Sequence, residues 1–191
     1  MNIPIASSAR HVHLSQVDLE KLFGSGYQLK KERDLVQPGE FAAEETVVIQ
    51  GTKAKIEKVR IVGPLREKSQ VEISKTDARY LGIEAPIRIS GNHSDSASLT
   101  LIGPASQVTL PDGVIVPQRH IHCSAVQAEE IKLVNNQMVS VDIKGERGLI
   151  FKQVIVRVAD DYQWEMHVDT DEANASGLKP GTEGKIIKDE N

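Results

Sequence analysis

The chain has 191 residues, 39% apolar and 26% charged, a composition that can fill a packed core and excludes an intrinsically disordered protein. A net charge of -4 argues against a general nucleic-acid binder, whose affinity comes from neutralising phosphates. No apolar run approaches the roughly 20 residues that span a bilayer, and the single cysteine, Cys123, excludes an intrachain disulfide and a cysteine-rich zinc finger.

The first predicted element is a short strand carrying His-x-His at residues 11–13. A helix follows over 16–23, opened by Ser15 with Asp18 three residues on, a capping box with Asp in place of Glu. Val/Ile enrichment and period-two alternation predict strands over 46–49, 54–62, 70–74 and 87–90. A helical turn over 77–81 ends at Gly82. The polar, serine-rich stretch 91–98 leads into a linker reaching about Pro117.

The order then begins again. Residues 10–15 read Arg-His-Val-His-Leu-Ser, and residues 119–124 read Arg-His-Ile-His-Cys-Ser. A helical stretch over 125–134 starts with Ser124 and Gln127, strands are predicted over 138–143, 149–158, 164–168 and 184–187, and a turn over 172–175 ends at Gly177. The offset between copies is 109 at the histidine pairs and 95 at Gly82 and Gly177, so the first copy is longer by 14 residues, which fall within about 24–44. The expected fold is mainly β: two similar small β-barrels related by internal duplication, with short capping helices. The expected boundaries are 10–105, including the inserted segment, and 106–191.

In a strand, residues i and i+2 point to one face, so His11 with His13, and His120 with His122, can converge on one ion. Aligning Gly82 with Gly177 superposes Glu72 on His167, each between apolar neighbours and pointing away from them. The predicted ligand sets are therefore His11/His13/Glu72 and His120/His122/His167. Three protein ligands with an open position mark a catalytic zinc site. The sixth histidine, His93, has no such partner and reads as a surface residue. Cys123 aligns with Leu14 and takes an apolar slot; it reads as a small buried residue, not a nucleophile.

Cations complete the picture. Residues 1–95 hold 14 Lys+Arg against 13 Asp+Glu, whereas residues 96–191 hold 9 against 14. Arg10 and Arg119 precede the histidine pairs, Arg60 and Arg66 bracket a Gly-Pro turn, and Lys30, Lys31 and Arg33 lie in the inserted segment. Basic side chains beside two metals suit a phosphate-rich ligand, with Arg66 the strongest candidate.

The blocks Ser-Ala-Arg-His-Val-His-Leu-Ser at 8–15, Val-Arg-Ile-Val-Gly-Pro at 59–64, Pro-Gln-Arg-His-Ile-His at 117–122 and Asp-Glu-Ala-Asn at 171–174 resemble the PduL-type phosphate propanoyltransferases, the phosphotransacylases of bacterial microcompartments and propanediol degradation. The resemblance covers nearly the whole chain. It implies reversible interconversion of acyl-CoA (propanoyl- or acetyl-CoA) plus phosphate with acyl phosphate plus CoA, two zinc ions per chain, and a homodimer. It also implies that the N-terminal strand 1–9 joins the second barrel. By position, Arg66 would bind the attacking phosphate, and Ser8, Arg33, Arg60 and Asn174 would contact CoA, although lysine is usual where Arg33 stands. Microcompartment members carry an N-terminal amphipathic extension, but only seven residues precede Ser8, so the expected location is the cytoplasm, or a microcompartment if an extension has been removed. No nucleic-acid or membrane partner is expected.

Two other readings use the same residues: a dinuclear zinc hydrolase of thioesters or phosphoesters, and a non-catalytic metal-binding or structural-zinc module. A cupin-like module would place Glu four or five residues after His-x-His, whereas the first acids after His13 are Asp18 and Glu20. No Ser elbow, Walker loop or Gly-rich dinucleotide fingerprint is present.

Overall fold

The computed structural model describes residues 1–187. In chain order these form β1 (Asn2–Ser8), β2 (His11–His13), α1 (Gln16–Phe23), β3 (Lys31–Asp34), β4 (Phe41–Gln50), β5 (Lys55–Gly63), β6 (Gln70–Glu72), α2 (Lys75–Leu81), β7 (Ile87–Arg88), β8 (Ala97–Ile102) and β9 (Gln107–Pro117). The second series is β10 (His120–Cys123), α3 (Ala125–Ile131), β11 (Met138–Ile143), β12 (Leu149–Val158), β13 (Glu165–Asp169), α4 (Thr170–Ser176) and β14 (Glu183–Ile187). The protein is mainly β, with two closed six-stranded barrels and four short helices.

The chain divides into two compact units. Residues 9–117 form the first, whose ring runs β4-β5-β2-β6-β9-β8 and closes where β8 pairs with β4; β3 and β7 extend β4 and β9. Residues 1–8 and those from 118 onward form the second, with the ring β1-β13-β10-β12-β11-β14. The two rings share one topology: the His-x-His strand lies parallel to one neighbour and antiparallel to the other in both. In the second barrel β1 takes the place that β9 takes in the first. Val114 pairs with Val71, and Ile5 pairs with Met166. Both strands run almost directly into a His-x-His strand, yet each completes the barrel of the other histidine pair.

This pairing moves the unit boundary from the expected 105/106 to Pro117/Gln118. The stretch expected as a linker holds β8 and β9, because Leu99, Leu101, Val108, Leu110 and Val114 alternate into the first core. Of the expected second unit, residues 188–191 lie outside the described residues. The inserted segment supplies β3, an exposed edge strand, and the start of β4.

Each barrel encloses an apolar core. Val12, Leu14, Ile61 and Val71 fill the first, and Ile121, Cys123, Val156 and Met166 stand at the matching positions of the second. Cys123 is fully buried, as Leu14 is. The helices cap the barrels. Ser15 accepts from the Asp18 N–H, while Ser124/Gln127 form a complete capping box. Two further boxes, Ser74/Asp77 and Asp169/Glu172, open α2 and α4, which end in left-handed Gly82 and Gly177. Lys58 and Gln153 occupy equivalent bulges with φ of 56° and 55°.

Candidate metal centres

The first centre is built on β2. Val12 turns into the core, so His11 and His13 share the opposite face. β6 lies antiparallel beside it with Glu72 opposite His11, which brings the third ligand in from a strand about 60 residues away. The His11 Nδ1–H donates to the Ala9 carbonyl at 2.9 Å and the His13 Nδ1–H to the Val62 carbonyl at 3.1 Å. Carbonyls only accept, so in the neutral form of each ring it is Nε2 that carries the bare lone pair. Those two atoms lie 3.1 Å apart, and Glu72 Oε2 is 3.6 Å from His11 Nε2.

Two lone pairs and a carboxylate facing one another repel unless a cation lies among them. A tetrahedral zinc with bonds of about 2.0–2.1 Å places its ligand atoms about 3.3 Å apart, which this spacing fits. Burial pushes the His13 pKa well below its ordinary value, with His11 and Arg66 adding to the shift, so the ring stays neutral and able to ligate. Burial works to raise the Glu72 pKa, but His11, His13, Ser90 and Arg66 outweigh it and hold the carboxyl below its ordinary range.

The second centre repeats this on β10 and β13, with His120 opposite His167. The His120 Nδ1–H donates to the Gln118 carbonyl at 2.8 Å. The three imidazoles cluster with ring centres 4.7 to 5.2 Å apart. His122 Nδ1 is buried with no hydrogen-bond partner among the described residues. Burial, followed by His120, His167 and Arg157, drives the His122 pKa down to about 2. Tyr162 stacks on the His122 ring at 4.2 Å. In each centre the potential ligand atoms lie within 4.8 Å of one another.

Arg66 stands beside the first centre. It donates from Nη1 to Ser90 Oγ at 3.0 Å, and its Nη2 is 3.8 Å from Glu40 Oε1. Its backbone N–H donates to the Leu14 carbonyl, which ties the loop after Gly63 to the end of β2. Any side chain at Gly63 would run into the Phe41 ring, so this turn needs glycine. Arg60 pairs with Glu32 at 3.1 Å and donates to the Ala43 carbonyl, while Arg33 is exposed on β3. In the second barrel Ser8 pairs with Asp169, the N-cap of α4, and Asn174 is exposed on that helix.

Three sequence expectations change. Arg10 grips Asp77 with two hydrogen bonds of 2.9 and 2.7 Å, and Arg119 Nε lies 3.0 Å from Glu172 Oε1. Each arginine thus clamps the capping acid of the helix behind the third ligand, instead of offering its charge to a phosphate ligand. His93 is largely covered and meets Asp112 at 3.2 Å, so it is not a surface histidine. The sequence reading also passed over Gln70, Ser90 and Glu165. Gln70 and Glu165 occupy one position of the repeat, two residues before the third ligand, so the alignment that found Glu72 and His167 held the signal for them too.

The sequence profile of the family described as phosphate propanoyltransferase matches residues 4–179. The chain belongs to the phosphate propanoyltransferase family. It is 51% identical over 176 residues to the phosphate propanoyltransferase of Salmonella typhimurium strain LT2, covering 92% of this chain and 83% of that one. The phosphate propanoyltransferase of Enterococcus faecalis strain V583 is 46% identical over 184 residues, covering 96% and 87%. That of Listeria monocytogenes strain EGD-e is 45% identical over 186 residues, covering 97% and 87%. Both histidine centres, Arg66, and the Arg10 and Arg119 clamps fall inside the stretch that defines this acyltransferase family.

Proposed function

We propose that this chain is a phosphate acyltransferase that interconverts propanoyl-CoA or acetyl-CoA plus phosphate with the acyl phosphate plus CoA, and that it holds one zinc ion at each histidine centre. The observation that carries this is the pair of bare imidazole nitrogens beside the Glu72 carboxylate, with Arg66 next to them. Zinc bound at the two centres supplies Lewis acidity, which polarises a carbonyl and offsets phosphate charge.

The protein's own residues bind and orient. Arg66 offers a guanidinium for phosphate, and Ser90 and Glu40 hold that guanidinium in place. CoA contacts fall to Ser8, Arg33, Arg60 and Asn174. A phosphate oxygen attacks the thioester carbonyl carbon; the new C–O bond forms, the C–S bond breaks, and the proton of hydrogen phosphate ends on the CoA thiol. The thiol pKa is near 8.5, so the thiolate departs without an obligatory acid. No acyl-enzyme is involved. The only thiol, Cys123, is sealed in the second core, where burial pushes its pKa up.

The test is CoA release from propanoyl- and acetyl-CoA, with and without phosphate, by wild type, His120→Ala and a chelator-treated sample. Release should require phosphate and fall at least 100-fold on either loss. CoA release independent of phosphate would make the protein a hydrolase; full activity in His120→Ala would remove the metal assignment.

A further inference from the structure

His93 is the one histidine outside the two candidate metal centres. It stands in the turn after β7, and three residues before it the same turn carries Ser90, whose Oγ accepts from Arg66 Nη1 at 3.0 Å. At this inner end the turn is tied to β6. Gln70, fully buried, donates from Nε2 to Ser90 Oγ at 3.0 Å and accepts the Gly91 N–H at Oε1, 2.7 Å away. Gly91 has a φ of 94°, and the Asn92 N–H donates to the Ile89 carbonyl at 2.9 Å, so the chain bends back sharply between Ser90 and His93.

His93 ties the outer end to β9. Its side chain is only 14% exposed, and its ring lies against Gly113, where an added Cβ would come within 3.3 Å of it. Asp112 Oδ1 is 3.2 Å from His93 Nδ1, and an ionised carboxylate only accepts, so the Nδ1–H donates to it. The His93 carbonyl accepts from the Ser96 N–H at 3.2 Å and from Ser96 Oγ at 2.6 Å, and that Oγ accepts the Gly113 N–H at 2.7 Å. Both the ring and the backbone of His93 therefore fasten the turn to residues 112–113. The next residues of β9, Val114 and Ile115, pair with Val71 and Glu72 of β6. The turn is thus strung between two neighbouring strands, with Ser90 between its two attachments.

We infer that His93 is a positioning residue for phosphate: by fastening this turn to β9 it keeps Ser90 against Arg66, and so keeps the guanidinium in the orientation that binds phosphate. A guanidinium meets phosphate with a planar fork of N–H donors, so its affinity depends on orientation as well as on charge. His93 acts through Ser90 and does not itself meet the substrate. The inference rests on reading Arg66 as the phosphate-binding group.

The experiment measures kcat, KM for phosphate and KM for propanoyl-CoA on the full chain as wild type, His93→Ala, His93→Asn, Asp112→Ala, Ser90→Ala, the double variant of His93→Ala with Ser90→Ala, and Arg66→Ala. His93→Ala should raise KM for phosphate about 3- to 10-fold, the range for one lost hydrogen bond, with kcat and KM for propanoyl-CoA within about twofold of wild type. Asp112→Ala, at a side chain half open to solvent, should raise it in the same way. His93→Asn, which keeps an N–H donor where Nδ1 stands, should recover most of the loss. Once Ser90 is alanine, adding His93→Ala should change KM for phosphate by less than about twofold, because the hydroxyl it acts through is gone. A role in folding alone would lower kcat by reducing the amount of active enzyme and leave KM for phosphate unchanged, and that result would overturn the inference. So would a KM in His93→Asn as high as in His93→Ala, an effect that Asp112→Ala does not share, or an undiminished effect in the Ser90→Ala background. An unchanged KM for phosphate in Arg66→Ala would instead defeat the reading of Arg66 itself.

Discussion

Replacing Arg10 by alanine decides between a clamp and a phosphate ligand. Its guanidinium makes a bidentate pair with Asp77, which is itself buried and completes the capping box of α2. Hydrogen bonds to charged groups contribute about 1.5–3 kcal/mol when well enclosed. The Arg10 side chain is 41% exposed, so solvent screening lowers this to about 1–2 kcal/mol. Asp77→Ala removes the same pair and also the reciprocal half of the capping box, worth about a further 1 kcal/mol. For a chain of this length, 1 kcal/mol corresponds to about 2–4 °C in Tm, so Arg10→Ala should lower the transition of the first barrel by about 2–8 °C. Chemical denaturation of the two single variants and the double variant closes a thermodynamic cycle. The coupling energy should be about 1–2 kcal/mol, well above the few tenths expected of independent sites. KM for phosphate should stay within about twofold of wild type. Additive effects together with a large rise in that KM would show that Arg10 binds substrate and that the pair with Asp77 is incidental.

The pH dependence of the metal-free protein has a definite sign. His122 is held far below its ordinary pKa in the fold, so its contribution to stability is present above about pH 6.5 and is lost as pH falls towards the folded value of about 2. Urea unfolding should show about 1.4 kcal/mol less stability at pH 5.5 than at neutral pH from this residue, a difference that His122→Asn removes; an unchanged pH slope in that variant would refute it. Cys123→Ser should leave kcat within about twofold while lowering stability by about 1–3 kcal/mol, since a hydroxyl enters an apolar slot; loss of activity without loss of stability would restore the thiol as a nucleophile. Gln153→Gly should stabilise the second barrel by about 1 kcal/mol in chemical denaturation, because the left-handed bulge strains any residue with a Cβ; a destabilised variant would argue that the Gln153 side chain does more than occupy the turn.

Much of this protein was legible in the chain itself. Periodicity is local, so 16–23, 138–143 and 149–158 were identified as elements from neighbours alone and match the helix and strands found there. The repeat carried the rest of the candidate site. One alignment of Gly82 with Gly177 named Glu72 and His167, residues far from the histidine pairs, and the strand register sets each beside its pair. The alternation of 97–102 and 107–117 went unread because the polar, Ser-rich stretch 91–98 resembled the start of a linker.

What only the tertiary structure decided was the partnership of β9, since the family resemblance already assigned the strand 1–9 to the second barrel. The sequence places β1 next to the first histidine pair and β9 next to the second, but backbone pairing sends each strand into the other barrel. Edge groups and apolar faces are satisfied by whichever strand completes the ring, not by the nearest in sequence. Arg10 and Arg119 looked like free charges because charge is visible in a sequence and its counter-ion is not; Asp77 and Glu172 lie more than 50 residues away from them. Glu165 is the same case at shorter range. Its carboxylate was plain to read, while its bond to His167 depends on side-chain geometry that only the folded strand sets.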